Sequence, residues 1–155
     1  MRKPTAAPKI WITGGSGITR FAAWAQALPA SGPDIHLFHC VPSPDLANHH
    51  PKTTAAFAAV PNAHYHLINP PDQPRLTPAA IQQITGVDLA KSKVYFCGPT
   101  LMRKSMRDGL ITLGVSTRRF HFEELEIRTG IGLRRLSAWL LALMIARANG
   151  RQQRV

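Results

Sequence analysis

Three glycines that follow a short apolar strand are the first feature of this sequence that could bind a ligand. An apolar run at residues 10–13 precedes them, and a helical pattern at residues 21–28 follows. A strand that turns through glycines into a helix exposes backbone N–H groups and a helix N-terminus with few side chains in the way. Such a turn suits a diphosphate group. The predicted binding residues are Thr13, Gly14, Gly15, Ser16, Gly17, Ile18, Thr19 and Arg20.

Two common phosphate-binding motifs do not fit this stretch. The G-x-G-x-x-G fingerprint needs a third glycine at position 20, where the chain has Arg20. The P-loop needs a Gly-Lys-Ser/Thr sequence, and none follows. What remains is a G-G-x-G-x-T turn, which also occurs in ordinary strand-to-helix connections. On this stretch alone, a diphosphate loop and a merely structural turn are both open interpretations.

A second stretch far downstream strengthens the ligand hypothesis. The apolar strand at residues 94–97 is closed by Gly98 and Pro99, and Thr100 opens a helix that includes Met102. If the two strands are parallel neighbours, their loops emerge at the same carboxyl edge and enclose a crevice. That crevice is the usual ligand position in an open α/β sheet.

Alternating strand and helix patterns predict the element that must position these loops, a five-stranded parallel doubly wound sheet with strand order 3-2-1-4-5. This order places strands one and four side by side. The predicted strands are residues 9–13, 35–40, 65–68, 93–97 and 120–127, and the predicted helices are residues 18–28, 55–60, 77–85 and 100–113. Residues 1–8 are predicted to be a flexible lead, residues 9–128 the α/β domain, and residues 129–155 a basic, apolar helical extension.

Length and composition favour one globular domain in a reducing compartment. The chain has 155 residues, of which 45% are hydrophobic, and two cysteines, so a disulfide framework is excluded. The formal net charge is +11, and 11 of the 19 lysines and arginines lie from Arg103 onward. Such charge suits nucleic acid, an anionic membrane or a phosphorylated cofactor. Because no nucleic-acid-binding motif accompanies it, no nucleic-acid partner is expected.

Three motifs in order resemble the pyridine-nucleotide module of the ferredoxin–NADP reductase family. They are the glycine turn at residues 14–21, the Cys-Gly-Pro stretch at residues 97–102, and the closing segment at residues 120–125. The chain is most similar to the C-terminal domain of ferric reductase-like oxidoreductases, relatives of the NADPH oxidases. Two positions depart from the family pattern, because Arg20 replaces a usual proline and Leu125 a usual aromatic residue.

The resemblance implies roles for the residues of both loops. It places Gly15, Gly17 and Thr19 against the pyrophosphate of NADH or NADPH. It also places Cys97 beside the nicotinamide ring, where the thiol positions the ring for hydride transfer and does not act as a nucleophile. From sequence alone Cys97 can equally be a small buried core residue. The predicted contacts of the second loop with the cofactor are Cys97, Gly98, Pro99 and Met102.

The acidic residue that the family carries near the flavin–nicotinamide junction matches Glu123 or Glu124, and a solvated strand edge is the alternative interpretation. The family's Arg-x-Tyr-Ser/Thr flavin signature is missing from this sequence. The resemblance therefore implies that any FAD is held by another domain or subunit. The residues after strand two, including Asp45, do not choose between NADH and NADPH. Arg75 is either an adenosine contact or a solvent-facing loop arginine.

Seven histidines raise the possibility of a metal site. His64 and His66 share one face of strand three by alternation, but no spacing matches a zinc motif, so no metal site is predicted.

The apolar tail defines the rival hypothesis. Residues 136–146 are apolar nearly all round, are too few to span a bilayer, and are flanked by arginines. They suit an interfacial helix on an anionic leaflet or a helix packed on protein. The alternative function is thus a non-catalytic membrane- or partner-docking domain with a degenerate nucleotide fold. The predicted location is cytoplasmic, at the inner face of the membrane if the tail binds lipid.

Overall fold

A five-stranded sheet in which every neighbouring pair is parallel forms the centre of the protein in a computed structural model. The structure describes residues 6–29, 31–47, 50–70 and 72–123. The sheet order is β3-β2-β1-β4-β5, as the sequence predicted. The strands are β1 Lys9–Gly14, β2 Ile35–Cys40, β3 Ala63–Ile68, β4 Lys93–Cys97 and β5 Phe120–Glu123.

Four helices connect the strands, and two differ from the predicted ranges by more than one residue. They are α1 Ile18–Ala25, α2 His50–Ala58, α3 Pro78–Thr85 and α4 Thr100–Thr112. The first helix ends at Ala25, three residues before the predicted end, and Leu28 packs against the core from the following loop. The second begins at His50, whereas residues 55–60 were predicted. The predicted continuation of β5 to residue 127, the tail at residues 129–155 and most of the lead at residues 1–8 lie outside the described residues.

Helix α3 shows why the sequence located it well. Thr77 is its N-cap, and the Thr77 hydroxyl oxygen accepts a hydrogen bond from the backbone N–H of Ala80 at 3.1 Å. Gly86 ends the helix in the left-handed conformation with φ 65°, which favours glycine because a side chain is strained there. Threonine before a helix and glycine after it are the residue types that such caps favour, so the local sequence is enough to locate this helix.

The two faces of the sheet carry separate cores. On the face of α3 and α4, buried residues from all five strands meet those helices; its largest members include Ile10, Ile12, Phe38, Phe96, Ile81 and Leu110. The opposite face packs against α1 and α2. There the Trp11 ring stacks on Phe21 at 5.4 Å and meets the edges of Trp24 and Phe57. Both faces are covered, which explains why β1 is an almost continuous apolar run.

Three histidines stack on the β2–β3 half of the sheet. The ring centroid of His36 lies 4.6 Å from that of His64 and 5.5 Å from that of His66. Nδ1 of His36 is at hydrogen-bond distance, 3.2 Å, from Nε2 of His66. Burial, followed by the two neighbouring histidines, lowers the pKa of His36 to about 4, and burial also lowers the pKa of His66. His36 is therefore neutral at pH 7.

We expect this stack to make the protein less stable in acid. The pKa of His36 is about 4 in the folded state and about 6.5 in an unfolded chain, so the unfolded chain binds the proton first. The stability that neutral His36 contributes is therefore fully present above about pH 6.5 and is lost as the pH drops toward 4. The expected loss from His36 between pH 7 and pH 5 is about 2 kcal/mol, measured by urea unfolding at both pH values. His36→Gln should remove most of this difference, and an unchanged pH dependence in that variant would contradict the assignment.

Candidate dinucleotide site

The two glycine loops lie side by side at the carboxyl edge of the sheet. Strands β1 and β4 are parallel neighbours, and Thr13 pairs with Cys97 at their last shared register position. The chain therefore leaves both strands at the same level and in the same direction. This is the juxtaposition on which the dinucleotide hypothesis depends.

The loops are packed so closely that side chains would not fit between them. A Cβ atom on Gly17 would lie 2.3 Å from the carbonyl oxygen of Cys97 and 2.7 Å from the hydroxyl oxygen of Thr13. A Cβ on Gly98 would lie 3.0 Å from the backbone nitrogen of Gly14. On Gly14 it would lie 2.9 Å from the Pro99 ring and 3.1 Å from the Met102 sulfur. All three glycines are thus required by close approach of backbone to backbone or to the second loop.

Gly15 has a different reason to be glycine. Its φ is 59°, and a Cβ placed there would meet nothing within 4 Å. Residues Gly15–Gly17 form a single 3-10 turn that leads into α1. The first turn of α1 contains no acidic residue, and no side chain caps its N-terminus. The positive end of this helix is therefore not neutralised by its own side chains.

The other residues of the first loop divide into supporting and accessible ones. Thr13 and Ile18 are buried; the Thr13 hydroxyl makes no hydrogen bond within the part of the chain that the structure describes. Thr19 is exposed, and Arg20 places its guanidinium carbon 5.5 Å from the centroid of the Trp24 ring. Thr13 and Ile18 thus form part of the buried base of the turn. For these two residues, as for Thr19 and Arg20, contact with a cofactor stays a prediction.

Cys97 is a buried thiol at the end of β4, 3% exposed and packed with the α1-side core. Burial raises the pKa of this thiol, although the Arg20 guanidinium opposes the shift. Burial also raises the pKa of Cys40 to about 12. Since the thiolate is the nucleophilic form, Cys97 is not activated for nucleophilic attack. The second hypothesis for this residue, a small core side chain, describes its packing equally well.

Neither thiol is expected to react quickly in the folded protein. At pH 8, iodoacetamide should alkylate Cys40 and Cys97 roughly a hundredfold or more slowly than in urea, because protonated and buried thiols react poorly. Mass spectrometry against time measures both rates. Rapid modification of Cys97 in the folded chain would instead identify an activated thiolate and contradict a purely positional role.

The closing strand places an aromatic ring, Phe122, against a cation of α4. The guanidinium carbon of Arg103 lies 4.3 Å from the centroid of the Phe122 ring, which is 48% exposed. Glu123 is the last residue of β5, and Glu124 lies outside the described residues, so the catalytic role predicted for either glutamate stays a prediction. The sequence interpretation missed the Arg103–Phe122 contact, although one helical turn separates Arg103 from Pro99.

Other features of the residues that the structure describes do not add a second chemical site. Among the described residues, no group of three or more histidine, cysteine or acidic side chains could hold a metal ion. No helix within that same part of the chain has the length and apolar character to cross a bilayer. A cavity of about 630 Å³ lies at the opposite, amino edge of the sheet. It is lined by Ala6, Ala7, Pro8, Gly32, Pro33, Asp34, Asp88, Lys91 and Arg119.

Comparison with known proteins gives structural matches. No protein-family model and no curated protein matches the chain by sequence. A ferredoxin–NADP⁺ reductase from Neisseria gonorrhoeae, with bound FAD and NADP, matches at 15% identity and a TM-score of 0.63, over 77% of this chain and 56% of that one. The cytochrome b5 reductase domain of Ulva prolifera nitrate reductase matches at 16% identity and a TM-score of 0.61, over 76% of this chain and 49% of that one.

A flavohemoglobin from Malassezia yamatoensis, with bound FAD and heme, matches at 15% identity and a TM-score of 0.59 over 79% of this chain. The chain spans 32% of the length of that flavohemoglobin and 52% of the FAD/NAD-binding domain of a Vibrio cholerae nitric oxide dioxygenase. The matches thus agree on one fold. This chain spans only part of the length of each of these proteins. The described domain has the fold of the nucleotide-binding domain of ferredoxin–NADP reductase-like proteins, as its three motifs predicted.

Proposed function

We propose that this chain is the NADH- or NADPH-binding module of a flavin-dependent oxidoreductase. It would present the nicotinamide ring to a flavin that another domain or subunit holds. The observation that carries the proposal is the contact between the two glycine loops at the carboxyl edge of β1 and β4. A Cβ at Gly17 would overlap the Cys97 carbonyl, so glycine is what lets the two loops meet, and the exposed Gly15 beside them leaves backbone open to a diphosphate.

The electrostatics of the first loop fit a diphosphate. The N-terminus of α1 carries partial positive charge, and neither the 3-10 turn nor the first turn of α1 contributes an acid. The exposed Gly15 and Thr19 border this helix end. An anionic pyrophosphate would therefore be stabilised by backbone donors, with Arg20 close by as a cation.

The second loop fits the nicotinamide half. A bound NADH or NADPH supplies the hydride, so the protein has to orient the ring and exclude water. Cys97 offers a small, protonated side chain at the end of β4, beside the loop that would hold the pyrophosphate. Its neighbours Gly98 and Met102 lie against Gly14, which joins the two halves of the site.

The assignment to the ferric reductase-like group rests on the sequence motifs. Their similarity to ferric reductase-like oxidoreductases supports a flavin partner that passes electrons onward, with ferric iron reduced at a flavin or haem elsewhere. The structural relatives support the broader class, because FAD and NADP are bound in the Neisseria gonorrhoeae reductase and FAD and heme in the flavohemoglobin. Attachment of the arginine-flanked tail to an anionic membrane is a further part of this proposal and rests on sequence alone.

Direct titration tests the proposal. Purified chain should bind at least one of NADH and NADPH with a dissociation constant in the micromolar to low millimolar range, measured by calorimetry or nicotinamide fluorescence. It should show no diaphorase activity until a flavin protein is added, because the chain lacks the family's flavin signature. Absence of binding for both dinucleotides up to millimolar concentration would reject the proposal.

A further inference from the structure

Strand order determines where the adenosine half of the cofactor would lie, an argument that rests on the proposed function. The pyrophosphate would lie at the end of β1 and the nicotinamide ring beside Cys97 at the end of β4. The adenosine half of the dinucleotide would then extend from β1 away from β4. On that side β2 and then β3 follow β1 in the sheet. The adenine ribose therefore lies over the loops that leave β2 and β3 at the carboxyl edge.

The loop after β3 holds a carboxylate in a defined place. The backbone carbonyl of Asn69 accepts hydrogen bonds from the backbone N–H groups of Asp72, at 3.1 Å, and Gln73, at 2.8 Å. The side-chain amide of Asn69 also donates to the Asp72 carboxylate. Two kinds of hydrogen bond thus tie Asp72 to the end of β3, while the residue itself remains exposed.

Asn69 brings a second acceptor to the same turn. Its side chain is 4% exposed, and its Oδ1 atom has no hydrogen-bond partner among the described residues. A buried acceptor of this kind is costly unless a ligand or water supplies a donor. The Asp72 carboxylate is likewise an acceptor. The turn therefore holds an exposed carboxylate acceptor, Asp72, next to a buried acceptor that has no donor among the described residues.

The loop after β2 adds a second acid and no strong cation. Asp45 is exposed in the 3-10 turn Pro44–Leu46 that follows β2. The sequence contains no lysine or arginine at residues 21–51 or 53–74. Arg75 is the first cation after β3, and it is exposed. Both loops over which the ribose would lie thus carry a carboxylate.

We infer that this site prefers a dinucleotide with a free ribose 2′-hydroxyl, NADH, over NADPH, and that Asp72, held by Asn69, is the main specificity-determining residue, with Asp45 assisting. A ribose diol donates two hydrogen bonds to acceptors. A 2′-phosphate offers only acceptors and brings negative charge toward two carboxylates, where an arginine is usually required.

Paired titrations of the full-length chain with NADH and NADPH test the preference. At pH 8, where ordinary histidines are neutral, NADH should bind roughly tenfold or more tightly than NADPH. Equal binding, or tighter binding of NADPH, overturns the specificity inference and leaves the proposed function intact. If neither dinucleotide binds, both fail.

Variants separate Asp72 from general charge effects. Asp72→Asn should shrink the NADH-to-NADPH preference several-fold, and adding Asp45→Asn should shrink it further. The matched control is Asp88→Asn, because Asp88 lies at the opposite edge of the sheet, paired with Lys91 at 2.9 Å. An unchanged preference in the double variant, or an equal change in the control, overturns the assignment.

Adenosine fragments give a readout that does not depend on variants folding. 5′-ADP should displace NADH from the wild-type chain, and 2′,5′-ADP should displace it more weakly. Stronger displacement by 2′,5′-ADP would overturn the inference.

Discussion

Replacing Gly17 by alanine is expected to abolish dinucleotide binding and to lower the free energy of unfolding by about 2 to 3 kcal/mol. The added Cβ would lie 2.3 Å from the Cys97 carbonyl oxygen and 2.9 Å from the carbonyl carbon, both backbone atoms that cannot rotate away. Relief requires that the start of α1 move away from the end of β4. The same movement separates the two loops that would hold the cofactor.

Gly15→Ala is the matched control for the loss of stability. Its Cβ would meet nothing within 4 Å, and its cost comes only from φ at 59°, about 1 kcal/mol. Calorimetric titration with NADH and urea unfolding of the two variants measure both effects. If Gly17→Ala binds as well as the wild type, the close approach of the two loops is not what holds the cofactor.

Replacing Trp11 by alanine is expected to lower the free energy of unfolding by about 3 to 5 kcal/mol. Trp11 is 4% exposed and contacts Phe21, Trp24 and Phe57 through its ring. Its removal leaves a cavity between β1 and the two helices that cover it. Because α1 rests on this ring, dinucleotide affinity should fall as well.

Trp24→Ala controls for the loss of an indole in the same cluster. Trp24 is 39% exposed and lies at the edge of the cluster, so its truncation should cost clearly less, about 1 kcal/mol. Urea unfolding at pH 7.5 compares the two variants. Equal losses would mean that the cluster is not centred on Trp11.

The sheet could be predicted because its signals are local. Strands β1 and β4 are short, mainly apolar runs that end at or just before a glycine, and Thr77 and Gly86 are residue types that favour the two caps of α3. The glycine loops were predicted together because parallel strands end at one edge, and the observed Thr13–Cys97 register is the geometric reason.

What the sequence did not predict depends on packing or on weak local signals. Helix α2 begins at His50 because Pro51 is tolerated in a first helical turn, and its Thr53 and Phe57, four residues apart, are both buried. Its hydrophobic pattern is otherwise weak. The stack of His36 with His64 and His66 follows from the β2–β3 register, and the tie between Asn69 and Asp72 from a turn. The histidine stack cannot be seen before the strands are aligned, and the Asn69–Asp72 contact cannot be seen before the turn is formed.

The pairing of β1 with β4 also bears on how the protein is made. Lys9 pairs with Lys93, whereas the partners of β1 in β2 begin at Ile35. During synthesis the first three strands can associate early, but the two glycine loops cannot come together until the fourth strand has left the ribosome. Contacts of such long sequence separation form slowly. The proposed binding of a dinucleotide should therefore be among the last properties that the nascent chain acquires.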